Sequence, residues 1–241
     1  MNPSSEPIDR RTELVGNLAS VRRRIADACL AAGRSPREVS LIAVTKTFPA
    51  SDVRLLAELG QRVVAENRDG EAAAKAAELA AAGVDVRWHF VGQLQRNKAR
   101  SVVRYADVVQ SVDRPALVTA LAAAVAAHRD RPLDVLIQVS LDDAPGRGGV
   151  SPAALPALVD AVLGAAPRLR LRGLMAVAPL GGDPDVAFGR LAERAAWLRE
   201  RDPDASMLSA GMTGDLEAAI RHGATHVRVG SGLLGRRAKL G

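Results

Sequence analysis

A lysine follows the first strongly apolar stretch of the chain, in a position where its amine could act as a nucleophile. Lys46 comes directly after residues 41–45, which read LIAVT. An amine at the rim of an apolar core loses part of its hydration, which favours the neutral form that attacks a carbonyl carbon. Imine formation with an aldehyde needs this form. The alternative is a structural lysine paired with Glu66, and the spacing alone leaves both interpretations open.

Two glycine-rich turns near the end of the chain have the composition of a phosphate site. They cover residues 209–214 (SAGMTG) and 228–232 (RVGSG). Their glycines let the backbone approach an anion closely, and Ser209, Thr213 and Ser231 add hydroxyl donors. The alternative is ordinary turn chemistry, with Thr213 as a helix N-cap before two acidic residues. The concentration of glycines and hydroxyls favours the phosphate site.

Short apolar runs alternate with longer alanine- and leucine-rich segments, which predicts alternating strands and helices. The predicted strands are 39–45, 62–66, 87–91, 108–111, 133–139, 169–175, 207–209 and 226–229. The predicted helices are 12–32, 50–59, 69–82, 97–105, 114–129, 152–165, 183–200 and 214–222, with a last short turn after residue 232. Eight strands separated by helices within 241 residues favour a closed (β/α)8 TIM barrel. We expect a single α/β domain over 1–241, with 1–11 as a flexible tail.

The barrel topology would gather the reactive residues at one rim, because active sites of such barrels lie at the C-terminal ends of the strands. Lys46 and both glycine-rich turns would meet there. The same rim would receive Asn67 after the second strand, His89 from the third and Ser111 from the fourth. The fold therefore predicts one site that combines an amine with an anion-binding turn.

Composition narrows the class of protein. The net charge of +6 suggests a nucleic-acid partner, but only 2% of the residues are aromatic and the arginines are interspersed with acids, which argues against it. Cys29 is the only cysteine, so an intrachain disulfide is excluded, in keeping with a reducing cytoplasm. No segment has the length of a membrane span, and the N-terminus lacks the features of a signal peptide. We therefore expect a cytoplasmic protein that binds neither membranes nor nucleic acid.

Six motifs follow one another along the chain, namely AVTK at 43–46, AENR at 65–68, WHFVGQLQRNK at 88–98, LRGLM at 171–175, SAGMTGD at 209–215 and VRVGS at 227–231. Taken in this order, they resemble the pyridoxal phosphate homeostasis proteins, and the resemblance covers residues 12–236. The family consists of single-domain relatives of the alanine racemase N-terminal barrel. The resemblance implies this fold and a bound pyridoxal 5′-phosphate (PLP).

The resemblance also implies roles for individual residues. Lys46 matches the lysine that carries PLP as a Schiff base, and Arg228 matches the arginine that faces the pyridine nitrogen. Asn67 matches an asparagine near the cofactor. The family's phosphate-contacting positions match Ser209, Thr213, Gly230 and Ser231. The departures from the family pattern are Thr213 for serine, Ser231 for threonine and Ala65 for glycine.

Arg228 bears on whether such a protein is an enzyme. A guanidinium stays protonated and cannot accept a proton from the pyridine, so it should leave the ring nitrogen unprotonated and weaken the ring as an electron sink. The resemblance implies a PLP-binding protein of intracellular PLP homeostasis, and the weakened sink leads us to expect that it holds the cofactor without substantial catalysis. We also expect it to be a monomer. Its expected partners are PLP itself and PLP-dependent apoenzymes.

Two other functions remain open. The first is a PLP-dependent amino-acid racemase. Racemases of this fold share the arginine but add a domain with a second acid–base residue, whereas this sequence offers only Tyr105 and Cys29 in predicted helices, and His89 if the third strand brings it to the barrel mouth. The second is a phosphate-binding barrel enzyme without PLP, or a basic nucleic-acid binder.

Overall fold

The computed structural model describes residues 9–142 and 148–235. Its centre is a closed barrel of eight parallel strands, in which each strand pairs with the next along the chain and β8 pairs with β1. The strands are β1 (Ser40–Val44), β2 (Val63–Glu66), β3 (Arg87–Phe90), β4 (Val108–Val112), β5 (Leu133–Gln138), β6 (Leu169–Met175), β7 (Met207–Ser209) and β8 (His226–Val229). The predicted TIM barrel is confirmed, including its fourth and seventh strands, whose apolar runs are short.

Helices cover the outside of the barrel and follow the predicted order. They are α1 (Arg10–Ala31), α2 (Ala50–Glu58), α3 (Asp69–Ala81), α4 (Ala99–Tyr105), α5 (Pro115–His128), α6 (Leu155–Leu163), α7 (Pro184–Arg201), α8 (Leu216–Arg221) and α9 (Ser231–Leu234), with 3-10 turns at Pro36–Glu38 and Arg96–Lys98. Helix α1 begins at Arg10 rather than at residue 12, because Arg10 pairs with Asp52 and donates to the Leu234 carbonyl at 3.1 Å. Arg10 and Arg11 therefore belong to the helix rather than to the expected tail over 1–11, and residues 1–8 lie outside the described part.

Most of the apolar core lies between the barrel wall and the helices. Outward-facing strand residues such as Val64 and Ile137 belong to two large buried clusters that include side chains of the surrounding helices. Within the described residues, a separate small cluster of Val108, Leu136 and Met175 lies apart from these layers. Several polar side chains are also buried, and some of them form the hydrogen-bonded chain described below.

Two register shifts bend the wall of the barrel. Strand β4 takes three steps from Val109 to Val112 where β5 takes two, and Gln110 lies within this bulge. The second shift falls in β6 just before Gly173. Gly173 has a φ of 144°, and a β-carbon there would lie 1.8 Å from the Met207 carbonyl oxygen. Glycine is required at this point because any side chain would collide with the neighbouring strand.

Helix α1 contributes packing rather than chemistry. Cys29 is fully buried among apolar neighbours on this helix. No helix within residues 9–142 and 148–235 is long and apolar enough to cross a membrane. Over the same residues, no group of three or more His, Cys, Asp or Glu side chains is placed to hold a metal ion.

Candidate functional site

Lys46 lies at the C-terminal mouth of the barrel, just beyond the end of β1. Its side chain is exposed, so the partial loss of hydration expected from the sequence is wrong. The physical reason is that the strand ends at Val44, and a residue beyond it extends past the apolar interior. The alternative ion pair with Glu66 is also wrong, because the Glu66 carboxylate pairs with Lys75 at 2.8 Å.

The ionic cluster behind the Lys46 turn was not predicted. Lys75 Nζ donates to Glu66 Oε1 at 2.8 Å and to Glu71 Oε1 at 2.7 Å. Burial raises the pKa of the Glu66 carboxyl. Burial would also raise the pKa of Glu71, but hydrogen bonds from Lys75 and from the Thr47 N–H outweigh it and lower that pKa. The i, i+4 spacing of Glu71 and Lys75 was the available signal for this pair.

The two glycine-rich turns meet at the same mouth. Ser231 Oγ lies 3.5 Å from Thr213 Oγ1, and a β-carbon on Gly232 would lie 3.0 Å from Thr213 Cγ2. Several backbone N–H groups on these turns have no acceptor among the described residues, among them those of Thr213, Gly214, Ser231 and Gly232. Free N–H groups and hydroxyls on facing turns are suited to bind an anion.

The acidic residues after Thr213 do not obstruct such an anion. Helix α8 begins at Leu216 with Asp215 at its N-cap, so the alternative of Thr213 as N-cap is wrong. The Asp215 carboxylate accepts a hydrogen bond from the Met212 N–H at 2.6 Å. Glu217 forms an ion pair with Arg24 at 2.7 Å. Both carboxylates are therefore engaged with groups of the protein.

A chain of buried hydrogen bonds crosses the barrel interior below the mouth. Arg228 Nη1 donates to the Ser209 carbonyl and to Ser209 Oγ, both at 2.8 Å, and Nη2 donates to the Ala176 carbonyl at 2.9 Å. Ser209 Oγ donates to Gln110 Oε1 at 2.7 Å. Gln110 Nε2 lies 2.6 Å from His89 Nδ1. The bulge in β4 supplies Gln110, which the sequence analysis did not identify.

The charge of Arg228 has no carboxylate partner within the described residues. Its side chain is 4% exposed, and burial lowers its pKa to about 10, so it remains a cation at neutral pH. A buried cation satisfied only by neutral groups is suited to an electron-rich partner. Ser209 Oγ donates its proton to Gln110, and its predicted contact with a phosphate stays a prediction.

None of the three candidate acid–base residues reaches the mouth. His89 is 2% exposed within the barrel, and burial lowers its pKa to about 3, so its expected place at the mouth is wrong. The reason is that it lies within β3 rather than after it, where Gln110 contacts its ring nitrogen. Tyr105 packs its ring edge-on against Trp88 at 6.4 Å, and Cys29 is buried in α1.

Asn67 and Ser111 carry polar atoms without partners. Asn67 Oδ1 and Ser111 Oγ are buried and form no hydrogen bond within the described residues. A β-carbon on Gly92 would lie 2.0 Å from the Asn67 carbonyl oxygen, so glycine lets the loop after β3 pack directly onto Asn67. Buried polar atoms of this kind need a partner, and a ligand in the barrel mouth would supply one.

Two cavities lie away from the mouth. One of about 470 Å³ opens at the N-terminal end of the barrel, where its arginines and aspartates pair with each other, as Arg131 does with Asp107 and Arg170 with Asp134. Another of about 540 Å³ lies between α3 and α4. We place the chemistry at the mouth because the free donors and the lysine amine lie there.

The residues at the mouth fit PLP. Free backbone N–H groups of the facing turns match its phosphate, the exposed amine of Lys46 matches its aldehyde, and the buried cation of Arg228 matches a neutral pyridine nitrogen. The orphaned oxygen of Asn67 is a further acceptor for a group on the ring.

The chain is similar to known proteins over most of its length. The family model for the alanine racemase N-terminal domain matches residues 17–238. The pyridoxal phosphate homeostasis protein of Mycobacterium leprae is 46% identical over 94% of each chain, and that of Escherichia coli is 40% identical over 93% of this chain and 97% of its own. The solved structure of PipY from Synechococcus elongatus, with PLP bound, matches at a TM-score of 0.80 and 36% identity, over 92% of this chain and all of its own.

Alanine racemases share the fold at lower similarity. The enzyme of Bacillus anthracis matches at a TM-score of 0.69 and 18% identity, and the similarity covers 57% of its chain. At this identity the similarity concerns the barrel alone. By contrast, the homeostasis proteins match over nearly their full length. The chain therefore belongs to the pyridoxal phosphate homeostasis protein family, whose barrel is that of the alanine racemase N-terminal domain.

Proposed function

We propose that this protein binds PLP as a Schiff base on Lys46 and serves PLP homeostasis in the cell without substantial catalysis. The observation that carries the proposal is an arrangement at one end of the barrel. The Lys46 amine and the free donors of the two glycine-rich turns lie at the mouth, and the Arg228 cation is buried below it. Family membership supports it, since the close relatives are named for this role.

Each residue has a distinct task in the proposed site. When bound, PLP supplies a reactive aldehyde and a conjugated ring that withdraws electrons. Lys46 Nζ would hold the aldehyde carbon, and Arg228 would donate a hydrogen bond to the pyridine nitrogen. Asn67 would orient the ring. The phosphate would be held by Thr213, Gly230 and Ser231, together with the free N–H groups beside them.

Ser209 remains in the proposed site, but with a role other than the predicted contact with the phosphate. A contact with the phosphate would require its hydroxyl to leave Gln110, to which it donates at 2.7 Å. Its oxygen also accepts from Arg228 at 2.8 Å. We therefore propose that Ser209 acts on the cofactor indirectly, by fixing the Arg228 guanidinium that would donate to the pyridine nitrogen.

The arrangement favours a carrier over an amino-acid racemase. A permanently charged Arg228 can donate to the pyridine nitrogen but cannot accept a proton from it, so the ring is a weaker electron sink. Inversion at a carbon also needs acid–base groups on both faces. Lys46 can serve one face, whereas His89 is held inside the barrel by Gln110 with a pKa of about 3.

The biological setting follows from the same proposal. We propose that one domain over 1–241 acts as a monomer in the cytoplasm, where it exchanges PLP with PLP-dependent apoenzymes. The single cysteine fits a reducing compartment. A Schiff base suits such exchange, because water or another amine can reverse it.

Borohydride reduction followed by peptide mapping tests the proposed function. Reduction makes the Schiff base permanent, and we expect the pyridoxyl group on the peptide that contains Lys46. Lys98→Ala, a change in an exposed lysine, is the matched control and should leave the labelling intact. Recovery of the label mainly on Lys75, Lys98 or Lys239, the last of which lies outside the described residues, would contradict the assignment.

A further inference from the structure

The turn that carries Lys46 is held from α3 by two side chains. The Thr45 carbonyl, part of the peptide group before Lys46, accepts a hydrogen bond from Lys75 Nζ at 2.8 Å. The Thr47 N–H, part of the peptide group after Lys46, donates to Glu71 Oε1. Both peptide groups that flank Lys46 are therefore fixed by side chains of one helix.

The backbone at this turn needs such support. Thr47 has a φ of 70°, and it is the only non-glycine residue with a positive φ in the described part of the chain. A β-branched residue rarely adopts this conformation, which persists where the surroundings impose it. Release of the Thr47 N–H from Glu71 would let the turn relax and redirect the Lys46 side chain.

Lys75 is itself anchored on a buried carboxylate, and Glu71 is linked to that carboxylate through Lys75. Glu66 is fully buried and Lys75 is 7% exposed. Glu66 Oε1 accepts from Lys75 Nζ at 2.8 Å and from Thr45 Oγ1 at 2.7 Å. Thr45, one residue before Lys46, is therefore bound to this cluster both through its carbonyl and through its side chain. Such a network holds its members in one arrangement because each buried polar group depends on the others.

We propose that Lys75 and Glu71 are positioning residues that aim the Lys46 amine at the aldehyde of PLP. The inference rests on the proposed function. Schiff base formation joins Nζ to the aldehyde carbon, and the aldehyde oxygen leaves as water with two hydrogens of the neutral amine. The amine must therefore meet that carbon in one orientation, and a turn fixed in advance lowers the entropic cost of the encounter.

Pyridoxine 5′-phosphate separates positioning from a merely structural role. It has the ring and phosphate of PLP but an alcohol in place of the aldehyde, so it cannot form a Schiff base. A residue that only maintains the fold would affect both ligands equally. A residue that aims Lys46 would affect PLP alone.

The test is Glu71→Ala, with Glu78→Ala as a matched control at an exposed position of the same helix. We expect Glu71→Ala to raise the dissociation constant of PLP about tenfold, as loss of a hydrogen bond to a charged group does. The dissociation constant of pyridoxine 5′-phosphate should not change. Glu71→Gln keeps an acceptor oxygen for the Thr47 N–H and should restore most of the PLP affinity.

The remaining outcomes are distinguishable. Equal weakening of both ligands by Glu71→Ala, or no weakening of either, would overturn the positioning role. Absence of borohydride labelling on Lys46 in the unaltered protein would instead overturn the proposed function. Lys75→Met is less suitable, because it leaves two carboxylates without their cation and endangers folding.

Discussion

Removal of a single hydroxyl, in Thr213→Val, probes the phosphate end of the site without disturbing the fold. Valine keeps the shape of threonine. Within the described residues the Thr213 hydroxyl contacts only Ser231 Oγ, at 3.5 Å, and the hydrogen bond from Arg24 to the Thr213 carbonyl at 3.1 Å does not involve the side chain. We therefore expect the free energy of unfolding to change by less than about 0.5 kcal/mol.

The same substitution should weaken PLP binding strongly. The hydroxyl is a donor to a charged phosphate in the proposed site, and such a hydrogen bond contributes about 1.5–3 kcal/mol, or roughly ten- to a hundredfold in affinity. Equilibrium titration followed by absorbance measures the dissociation constant, and urea unfolding measures stability. Thr119→Val, at an exposed threonine of α5, is the control and should change neither quantity.

A comparison with pyridoxal, which lacks the phosphate, separates a contact with the phosphate from an effect on the fold of the mouth. Thr213→Val should leave the affinity for pyridoxal as it is in the unaltered protein. If PLP bound with an unchanged dissociation constant, the phosphate would lie elsewhere. If pyridoxal and PLP were weakened alike, the hydroxyl would act on the fold of the mouth rather than on the phosphate.

Three further predictions follow from the barrel interior. Gln110→Leu removes the acceptor of the Ser209 hydroxyl and the partner of His89 Nδ1, and should lower the free energy of unfolding by about 2–6 kcal/mol. The exposed Gln93→Leu is the control, and equal stabilities would contradict the buried chain. Because the pKa of buried His89 is lowered to about 3, the unfolded chain binds a proton first as the pH falls, so stability should decrease from about pH 6.5 towards pH 3. His89→Gln should flatten that decrease, and an unchanged slope in urea titrations would place the effect elsewhere. Chiral analysis of L-alanine incubated with PLP-loaded protein should show turnover far below the ~10 s⁻¹ typical of enzymes; a rate of that size, lost in Lys46→Ala, would favour the racemase.

The barrel could be predicted from the sequence because its strands are apolar runs of regular spacing. The predicted strand 169–175 coincides with β6, and 207–209 coincides with β7. Helix ends were less accurate. Helix α6 begins at Leu155 rather than at residue 152, since Ser151 Oγ accepts from the Ala154 N–H at 3.3 Å and holds a turn there. Side-chain bonds of this kind depend on local geometry that a hydrophobic pattern does not encode.

The candidate site was predictable only in part. Motif positions placed Lys46 and the two glycine-rich turns at one rim, and the structure brings these turns together. An ion pair between Glu66 and Lys46 was the expected alternative, and the observed partner of Glu66, Lys75, was not predicted. Glu66 faces Lys75 of α3 because alternate residues of a strand point to opposite sides. Gln110 was missed because it lies in a bulge, which breaks the alternation on which such predictions depend.

A crystal structure of the PLP-loaded protein would test the central claim most directly, because it locates both ends of the cofactor at once. We predict continuous density from Lys46 Nζ to the cofactor, with the pyridine nitrogen facing Arg228 and the phosphate between the turns that carry Thr213 and Ser231. Density for the phosphate in the arginine-lined cavity at the opposite end of the barrel, or a ring nitrogen turned away from Arg228, would contradict the account.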